Sequence, residues 1–355
     1  MKIAIVGGGI NGMSCAWTLA KEGHQVSLFE RNHIMQQTSS ASSKLLHGGL
    51  RYLENGEFRL VYEALKERDN WFKLAPHLAK PIKLSIPVYN WNYRSRWEYF
   101  AGLTIYKILA FNSCYSSYHW LSPGEMTALD KGLKNKNLIG GYQFYDGQMD
   151  DYKLGIWVAE QARRLGADLY ENTDVIRINT NGLLTTSFNS QKYEYIVNTA
   201  GPWAEKLCQG INNKIPYCLD LVRGSHIVVN KKCVQPYLLE APNEKRIFFV
   251  LPWHEKTLVG TTEVRQKIDD KIECSEDEKN YLLKSYNYYL NPPLTKNDII
   301  REYSGLRPLI RSSKNLNETS REYKILKNDR VITVLGGKWT TALSLSRKVL
   351  KRIYE

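Results

Sequence analysis

Three glycines near the start of the chain, Gly7, Gly9 and Gly12, have the G-x-G-x-x-G spacing that suits the diphosphate of a dinucleotide. Gly7 permits a tight turn, Gly9 lets a pyrophosphate approach the backbone, and Gly12 lets a helix pack closely on a strand. The acidic Glu30 follows about 20 residues later, where a carboxylate accepts hydrogen bonds from an adenosine ribose. These four residues predict a site for a dinucleotide such as NAD or FAD.

The elements that must position these residues surround them in the right order. An apolar run at residues 3–6 precedes the glycines, a helical pattern covers residues 13–20, and a second apolar run at residues 26–29 ends at Glu30. This order predicts a βαβ unit. The N-terminus of its helix then offers unpaired N–H groups and a positive dipole end to a diphosphate.

The composition indicates a globular protein with a basic surface. The chain has 355 residues, of which 43% are hydrophobic and 24% are charged, and this length suits two domains. A formal net charge of +13 favours an anionic substrate or an anionic membrane surface, or serves solubility alone. No nucleic-acid-binding module is visible, so no nucleic-acid partner is expected. The six cysteines are scattered without metal-ligand spacing, so no metal site is expected.

The sequence predicts a cytoplasmic protein, because it contains no secretory signal and no run of about 18 uninterrupted apolar residues. Residues 89–118 nevertheless combine aromatic side chains with Arg94, Arg96 and Lys107. Such a mixture suits the inner face of a membrane, where the protein would bind peripherally. The other interpretation is that these aromatic residues form the core of the second domain.

The order of patterns predicts an α/β fold with a Rossmann-like nucleotide-binding domain and an inserted antiparallel-sheet domain for the substrate. Residues 1–82, 141–215 and 301–355 are assigned to the first domain, and residues 83–140 and 216–300 to the second. Within these blocks we expect a helix over residues 57–74, a capping box at residues 122–125, and Asp150 as the N-cap of another helix.

Six longer segments together resemble one enzyme family. They are TSSASSKLLHGGLRYL at residues 38–53, FRLVYEALKERDNWFKLAPHL at 58–78, LVRGSHIVV at 221–229, FFVLPWHEKTLVGTTEV at 248–264, YSGLRPL at 303–309 and LGGKWTT at 335–341. In combination they closely resemble the FAD-dependent glycerol-3-phosphate dehydrogenases, which are D-amino-acid-oxidase-like flavoproteins. The resemblance covers essentially the whole chain. Compared with that family, we expect the chain to lack the usual C-terminal helical domain.

The resemblance implies that FAD is held non-covalently by four parts of the chain. They are the first glycine turn, the segment rich in serine and glycine at residues 38–53 (the Ser/Gly segment), and two later turns at residues 200–203 and 336–340. The residues expected to hold it are Gly7, Gly9, Ile10, Asn11, Gly12, Glu30, Arg31, Ser39, Ser40, Ser43, Lys44, Leu45, His47, Gly48, Gly49, Leu50, Val175, Ala200, Gly201, Trp203, Gly305, Arg307, Gly336, Gly337, Lys338, Trp339 and Thr340. The last turn would place a helix N-terminus and a lysine beside the negative charge of a reduced flavin.

The resemblance also implies a phosphate site and a catalytic base. The residues expected to hold the substrate are Arg51, Tyr52, Arg307, Arg321 and Lys338, among which arginine suits phosphate because its planar fork forms bidentate bonds. His47, His226 and Arg307 are the candidate catalytic residues. An imidazole with a pKa near 6.5 can accept a hydroxyl proton at neutral pH, and the choice between the two histidines stays open.

The implied reaction is oxidation of sn-glycerol 3-phosphate, or a similar small phosphorylated polyol, to dihydroxyacetone phosphate. The hydride would pass to flavin N5, and the electrons would then pass to a quinone or to oxygen. Two alternatives stay open. One is an FAD-dependent oxidase of a small amine or 2-hydroxy acid from the same superfamily, and the other is a flavoprotein subunit that is inactive alone.

Overall fold

The computed structural model describes residues 1–208, 218–311 and 323–355. Within them the helices are α1 (Ile10–Lys21), α2 (Phe58–Leu74), α3 (Arg96–Leu109), α4 (Pro123–Leu129), α5 (Asp151–Arg164), α6 (Ala204–Cys208), α7 (Glu276–Tyr289) and α8 (Ala342–Tyr354). The strands are β1 (Lys2–Val6), β2 (Gln25–Phe29), β3 (Leu45–Leu46), β4 (Ala79–Tyr89), β5 (Tyr118–Leu121), β6 (Leu138–Met149), β7 (Asp168–Tyr170), β8 (Val175–Ile178), β9 (Leu183–Thr186), β10 (Ser190–Lys192), β11 (Tyr195–Asn198), β12 (Leu219–Val229), β13 (Tyr237–Glu240), β14 (Ile247–Trp253), β15 (Lys256–Gly260), β16 (Val264–Arg265), β17 (Ile299–Ile310), β18 (Lys324–Asn328) and β19 (Val331–Leu335).

A six-stranded sheet contains the predicted βαβ unit. Its strand order is β18-β19-β11-β1-β2-β7, and β1 runs parallel to both β2 and β11. Ile3 and Ile5 face the layer of α1, α5 and α8, whereas Ala4 and Val6 face the small sheet β10-β9-β8. Because both faces are covered, the strand is apolar at every position rather than at alternate ones. The predicted unit is confirmed.

A ten-stranded sheet forms the second layer. Its main path is β16-β12-β15-β14-β13-β4-β6-β3, with β17 paired to β12 and β5 paired to β6. Helix α7 covers part of one face, and α2 and α3 contribute to an apolar cluster with other residues of the sheet. Most of the pairings are antiparallel, although β13 runs parallel to β4. The predicted α/β fold, with a Rossmann-like sheet and a second antiparallel sheet, is confirmed.

Three of the four predicted domain limits fall within strands of this second sheet, and the fourth, between residues 215 and 216, lies outside the described residues. The limit at residue 82 lies within β4, the limit at 140 lies within β6, and the limit at 300 lies within β17. All three strands continue in the ten-stranded sheet on both sides of these limits. The division into two domains stays a prediction.

Three local predictions about helix starts are confirmed. Helix α2 begins at Phe58, directly after its N-cap residue Glu57. Ser122 forms a capping box with Glu125 at the start of α4. The Asp150 side chain accepts a hydrogen bond from the Lys153 amide at the start of α5, as an N-cap residue should.

Candidate functional site

A cavity of about 720 Å³ is lined by loops of the six-stranded sheet and by strands of the ten-stranded sheet. On the first side, the lining follows the carboxyl ends of β1, β2, β11 and β19, at residues 6–11, 29–31, 199–203 and 336–340. The carboxyl edge of a parallel sheet is where open α/β folds bind their ligands. The cavity therefore brings together turns that are far apart in the sequence.

The first glycine turn leaves room for an anion. Gly7 has a φ of +101°, and a Cβ atom there would lie 2.7 Å from the Thr199 carbonyl oxygen. A Cβ atom on Gly9 would lie 2.9 Å from Ser39 Oγ, which accepts a hydrogen bond from the Ile10 amide at 3.0 Å. Within the described residues, no acid lies in the first turn of α1, and its N-cap residue, Gly9, has no side chain that could cap it, so the neutral Ser39 hydroxyl is the acceptor there. The positive end of α1 thus lies at the cavity wall.

Glu30 directly follows β2 and lies at the edge of the same cavity. Its carboxylate accepts hydrogen bonds from the Gly8 amide at 2.7 Å and from the Asn32 amide at 3.0 Å. The neighbouring Arg31 guanidinium lies 3.8 Å from the centre of the Trp203 ring, and both side chains also line the cavity. This group forms a polar and aromatic end opposite the strands of the second sheet.

A buried ion pair with the first residue of α5 holds the Ser/Gly segment in place. Lys44 Nζ lies 2.6 Å from Asp151 Oδ1, and the Ser42 hydroxyl donates to Asp151 Oδ2 at 2.7 Å. Burial lowers the pKa of Lys44 and raises the pKa of Asp151, so each group depends on the other to stay charged. Asp150 and Asp151 thus have separate roles, since the first caps α5 and the second anchors the segment.

Most of the predicted site residues in the described parts of the chain line the cavity. Those that line it are Gly7, Gly9, Ile10, Asn11, Glu30, Arg31, Ser39, Ser43, Leu45, His47, Gly49, Leu50, Arg51, Tyr52, Val175, Ala200, Gly201, Trp203, His226, Gly305, Arg307, Gly336, Gly337, Lys338, Trp339 and Thr340. Among the described residues, the lining does not include Gly12, Ser40, Lys44 or Gly48. Arg321 lies outside the described residues.

The four predicted residues outside the lining support it from behind. A Cβ atom on Gly12 would collide with the Gly7 carbonyl oxygen, so this glycine allows α1 to pack against the turn. The Ser40 hydroxyl donates to the Gln37 carbonyl, and Lys44 forms the ion pair described above. Gly48 donates its amide to Tyr106 and Asp146.

His226 lies on β12 and is almost fully buried. Its Nε2 atom shares a hydrogen bond of 2.8 Å with Ser43 Oγ, and its ring stacks on Tyr303 with 4.9 Å between ring centres. Burial lowers the pKa of His226 well below its usual value, and the positive charges of Lys44 and Arg307 lower it further. This imidazole is therefore neutral at physiological pH and is a weak base.

His47 lies beside two other predicted residues. The centres of the His47 and Tyr52 rings are 6.2 Å apart, and Lys338 Nζ lies 3.5 Å from the centre of the Tyr52 ring. The His47 carbonyl accepts a hydrogen bond from Thr340 Oγ1 at 3.3 Å. The Ser/Gly segment and the last glycine turn thus meet at this histidine.

Arg307 projects from β17 into the cavity. It donates to the Thr262 carbonyl at 2.9 Å, and its Nη1 atom lies 3.5 Å from Glu263 Oε1. Arg51 and Tyr52, which belong to a 3₁₀ helix over Leu50–Asn55, line the same cavity, as does Lys338. Arg51, Arg307 and Lys338 thus line one cavity, as Arg31 and Lys206 also do, and such cationic side chains suit a phosphate dianion.

The sequence analysis missed the apolar side of the cavity and two of its acids. The apolar residues are Phe144, Leu238, Ile247 and Phe249, and the acids are Asp146 and Glu263. Ile247 and Phe249 lie two residues apart on β14, so the alternation of a strand could have identified them. The two acids have no comparable signal, because their partners lie far away in the sequence.

The family described as "FAD dependent oxidoreductase" has a sequence model that matches residues 2–344. A "Glycerol-3-phosphate dehydrogenase" of Synechocystis sp. is 33% identical over 99% of this chain and 69% of its own length. The "Aerobic glycerol-3-phosphate dehydrogenase" of Escherichia coli is 35% identical over 99% of this chain and 73% of its own length. These matches agree with the resemblance found in the sequence motifs.

Solved structures with the same fold include a Bacillus halodurans glycerol-3-phosphate dehydrogenase complexed with FAD. It has a TM-score of 0.77 and 24% identity, covering 99% of this chain and 64% of that one. A Mycoplasma pneumoniae L-α-glycerophosphate oxidase with FAD bound has a TM-score of 0.81 and 19% identity, covering 100% and 94% of the two chains. A Geobacillus kaustophilus glycine oxidase has a TM-score of 0.79 and 20% identity, covering 99% and 94%. At these identities the likenesses establish the fold.

Proposed function

We propose that this chain, which belongs to the glycerol-3-phosphate dehydrogenase family of FAD-dependent oxidoreductases, oxidises sn-glycerol 3-phosphate to dihydroxyacetone phosphate. A similar small phosphorylated polyol would fit the same chemistry. The observation that supports the proposal best is the presence of Arg51, Arg307 and Lys338 in one cavity with His47 and His226. The chain spans 69% and 73% of the Synechocystis and E. coli relatives and 64% of the B. halodurans protein, so the activity of the whole relatives is carried over as a proposal.

FAD is the cofactor of this family, and the residues of the cavity fit it. The N-terminus of α1 lies at the cavity with no acid in its first turn, and the absence of a Cβ atom at Gly9 suits a pyrophosphate that approaches the backbone closely. Glu30 stands about where the acid of a dinucleotide site accepts from a ribose. The chemistry that FAD supplies when bound is two-electron oxidation, in which the substrate carbon gives its hydride to flavin N5.

The cationic side chains would bind and orient the substrate. Arg307 keeps its guanidinium in place through Thr262 and Glu263, and Arg51 and Lys338 provide further positive charge. A phosphate held by these groups would orient the reacting carbon, and such orientation can supply a large part of a rate enhancement. Binding and orientation are therefore assigned to these three residues.

We assign the general base to His47. An efficient base has a pKa near the working pH, and the lowered pKa of His226 makes that residue a poor acceptor of the hydroxyl proton. His226 shares a hydrogen bond with Ser43 and stacks on Tyr303, so it would instead hold the Ser/Gly segment against the second sheet.

The test is anaerobic reduction of the flavin by single substrates. Glycerol 3-phosphate should bleach the bound FAD, whereas glycine, sarcosine and a 2-hydroxy acid should not. Bleaching by an amine or a 2-hydroxy acid alone would replace the proposal with the oxidase alternative. Bound FAD that no substrate bleaches would favour the inactive subunit.

We also propose that the protein binds an anionic membrane surface and passes its electrons to a quinone. Helix α3 presents an exposed apolar stripe that includes Trp97, Ile108 and, just after its end, Phe111, which are 69%, 65% and 79% exposed. Arg96 lies over the Trp97 ring, and Lys107 is also exposed. Within the described residues, no helix is both long and apolar enough to cross a bilayer.

Aromatic rings with flanking cations are typical of proteins that bind at the lipid interface. Other aromatics of the same segment, such as Tyr99 and Tyr106, are buried in the core, so the membrane proposal depends on the exposed residues alone. Co-sedimentation with anionic vesicles, release at high salt and faster quinone reduction with vesicles would support the proposal. Rapid oxygen consumption without vesicle binding would favour oxygen as the acceptor.

A further inference from the structure

A buried acid, Asp146, lies on β6 at the wall of the cavity and has no role in the chemistry proposed above. Its Oδ2 atom accepts a hydrogen bond from the Tyr106 hydroxyl at 3.0 Å, and its Oδ1 atom accepts from the Gly48 amide at 3.2 Å. The Gly48 amide also donates to the Tyr106 oxygen at 2.9 Å. Arg68, which is fully buried, lies 3.5 Å from Asp146 Oδ1.

These contacts fix the peptide group between His47 and Gly48. A peptide group is planar, so a fixed Gly48 N–H also fixes the direction of the His47 carbonyl. That carbonyl accepts from Thr340 Oγ1, and the peptide group is thereby held from two directions. A Cβ atom on residue 48 would collide with the Tyr106 hydroxyl, so the approach requires glycine.

We propose that Asp146 is a positioning residue, which with Tyr106 holds the His47–Gly48 peptide group and thereby sets the position of the His47 imidazole beside the bound flavin. Its effect on turnover rests on the proposed function, because His47 is the assigned base there. Its effect on the surroundings of the flavin does not depend on the identity of the substrate.

The charge of Asp146 makes this support sensitive to pH. Burial raises the pKa of Asp146 to about 6, although Arg68, Tyr106 and the Gly48 amide act in the opposite direction. The groups that face it are Arg68 from α2 and Tyr106 from α3, with Asp69 behind Arg68 at 2.9 Å. Above this pKa, the carboxylate accepts from all its donors. As the pH falls below this pKa, Asp146 becomes protonated, and its hydrogen bond from the Gly48 amide weakens.

The experiment compares the holoenzyme with its Asp146→Asn variant, which keeps the shape of the side chain but cannot ionise. We expect kcat to fall about tenfold to a hundredfold, because small misplacements of a catalytic group have effects of this size, with KM changed less than about twofold. In the wild type without substrate, visible circular dichroism of the flavin should change with a midpoint near pH 6. In the variant the part of this transition that comes from Asp146 should be absent.

Tyr106→Phe gives a second and independent result. It removes a hydrogen bond that favours the charged form of Asp146, so the flavin transition should move to higher pH. If Asp146→Asn does not fold with FAD, this shift decides the question. An unchanged midpoint in Tyr106→Phe would overturn the proposal.

The structure offers a closely matched control in Asp130→Asn. Asp130 is also buried and also accepts from a tyrosine hydroxyl, that of Tyr237 at 3.2 Å, and from a glycine amide, that of Gly132 at 2.8 Å. Its network lies in the apolar cluster around α7, away from His47. We expect the kcat and the flavin spectrum of the Asp130→Asn variant to match those of the wild type. Equal losses in both variants, or no loss in Asp146→Asn, would overturn the proposal.

Discussion

Replacing Arg307 with alanine should remove most of the selectivity for a phosphorylated substrate while leaving the bound FAD in place. Arg307 holds its guanidinium in the cavity through the Thr262 carbonyl and the Glu263 carboxylate. Although Arg307 is among the residues expected to contact FAD, the turns proposed to hold most of the cofactor follow the parallel strands on the other side of the cavity. The variant should therefore fold, turn yellow and turn over slowly.

The expected loss is at least a hundredfold in kcat/KM. A guanidinium that holds a phosphate through two charged hydrogen bonds, at about 1.5–3 kcal/mol each, contributes about 3 kcal/mol or more, and 1.4 kcal/mol corresponds to about a factor of ten. Glu263, whose side chain is largely buried, also loses its ion-pair partner and would lie beside the incoming phosphate. Repulsion between the two anions adds to the loss, and Arg307→Ala/Glu263→Gln should therefore regain part of it.

Steady-state kinetics with glycerol 3-phosphate, together with the FAD content of each preparation, measure these effects. Arg311→Ala is the control, because Arg311 follows the same strand but is 61% exposed and pairs with Asp220 at 3.0 Å. Exposed pairs of this kind contribute about 0–1 kcal/mol, so its kcat/KM should stay within about fivefold of the wild type. If Arg307→Ala retains the wild-type kcat/KM, the anion site has been assigned to the wrong residue.

Two further predictions concern stability and lipid binding. Asp151→Asn should lower the free energy of unfolding by about 3 kcal/mol in denaturant titrations, because it leaves the buried Lys44 without its carboxylate partner. A loss below about 1 kcal/mol would show that this ion pair does not hold the Ser/Gly segment in place. The double variant Trp97→Glu/Phe111→Glu should lose most of its co-sedimentation with anionic vesicles. The control, Phe188→Glu, changes an equally exposed aromatic residue in a different part of the chain and should keep binding. Equal binding by the wild type and both variants would exclude the α3 stripe as the membrane-binding surface.

The arrangement of the turns proposed to hold the cofactor could be predicted because its signals are local. Gly7, Gly9, Gly12 and Glu30 lie within one βαβ unit, and both periodicity and turn chemistry identify such a unit from a short window. Positive-φ glycines also mark the last turn, at Gly336 and Gly337. The family resemblance extended these local signals to the whole chain.

Long-range contacts could not be predicted in the same way. Gly48 and Asp146 are 98 residues apart in the sequence, and Lys44 and Asp151 are 107 apart. Which distant acid meets which donor depends on the pairing of β6 with β3 and β4, and a register shift of one residue would turn every side chain to the other face. The same limit explains why three of the predicted domain boundaries fall inside strands.

The two sides of the cavity are formed by different kinds of element. The cofactor side consists of turns that follow parallel strands, so consecutive residues contribute to the lining. The side proposed for the substrate consists of strands, in which side chains alternate between the two faces. On β12 the lining residues are Gly224 and His226, on β17 they are Gly305 and Arg307 followed by Pro308 and Leu309, and the two glycines are paired directly across the strands. A change of substrate can thus arise from single substitutions at alternate positions of β12, β14 and β17, while the turns that hold FAD remain intact.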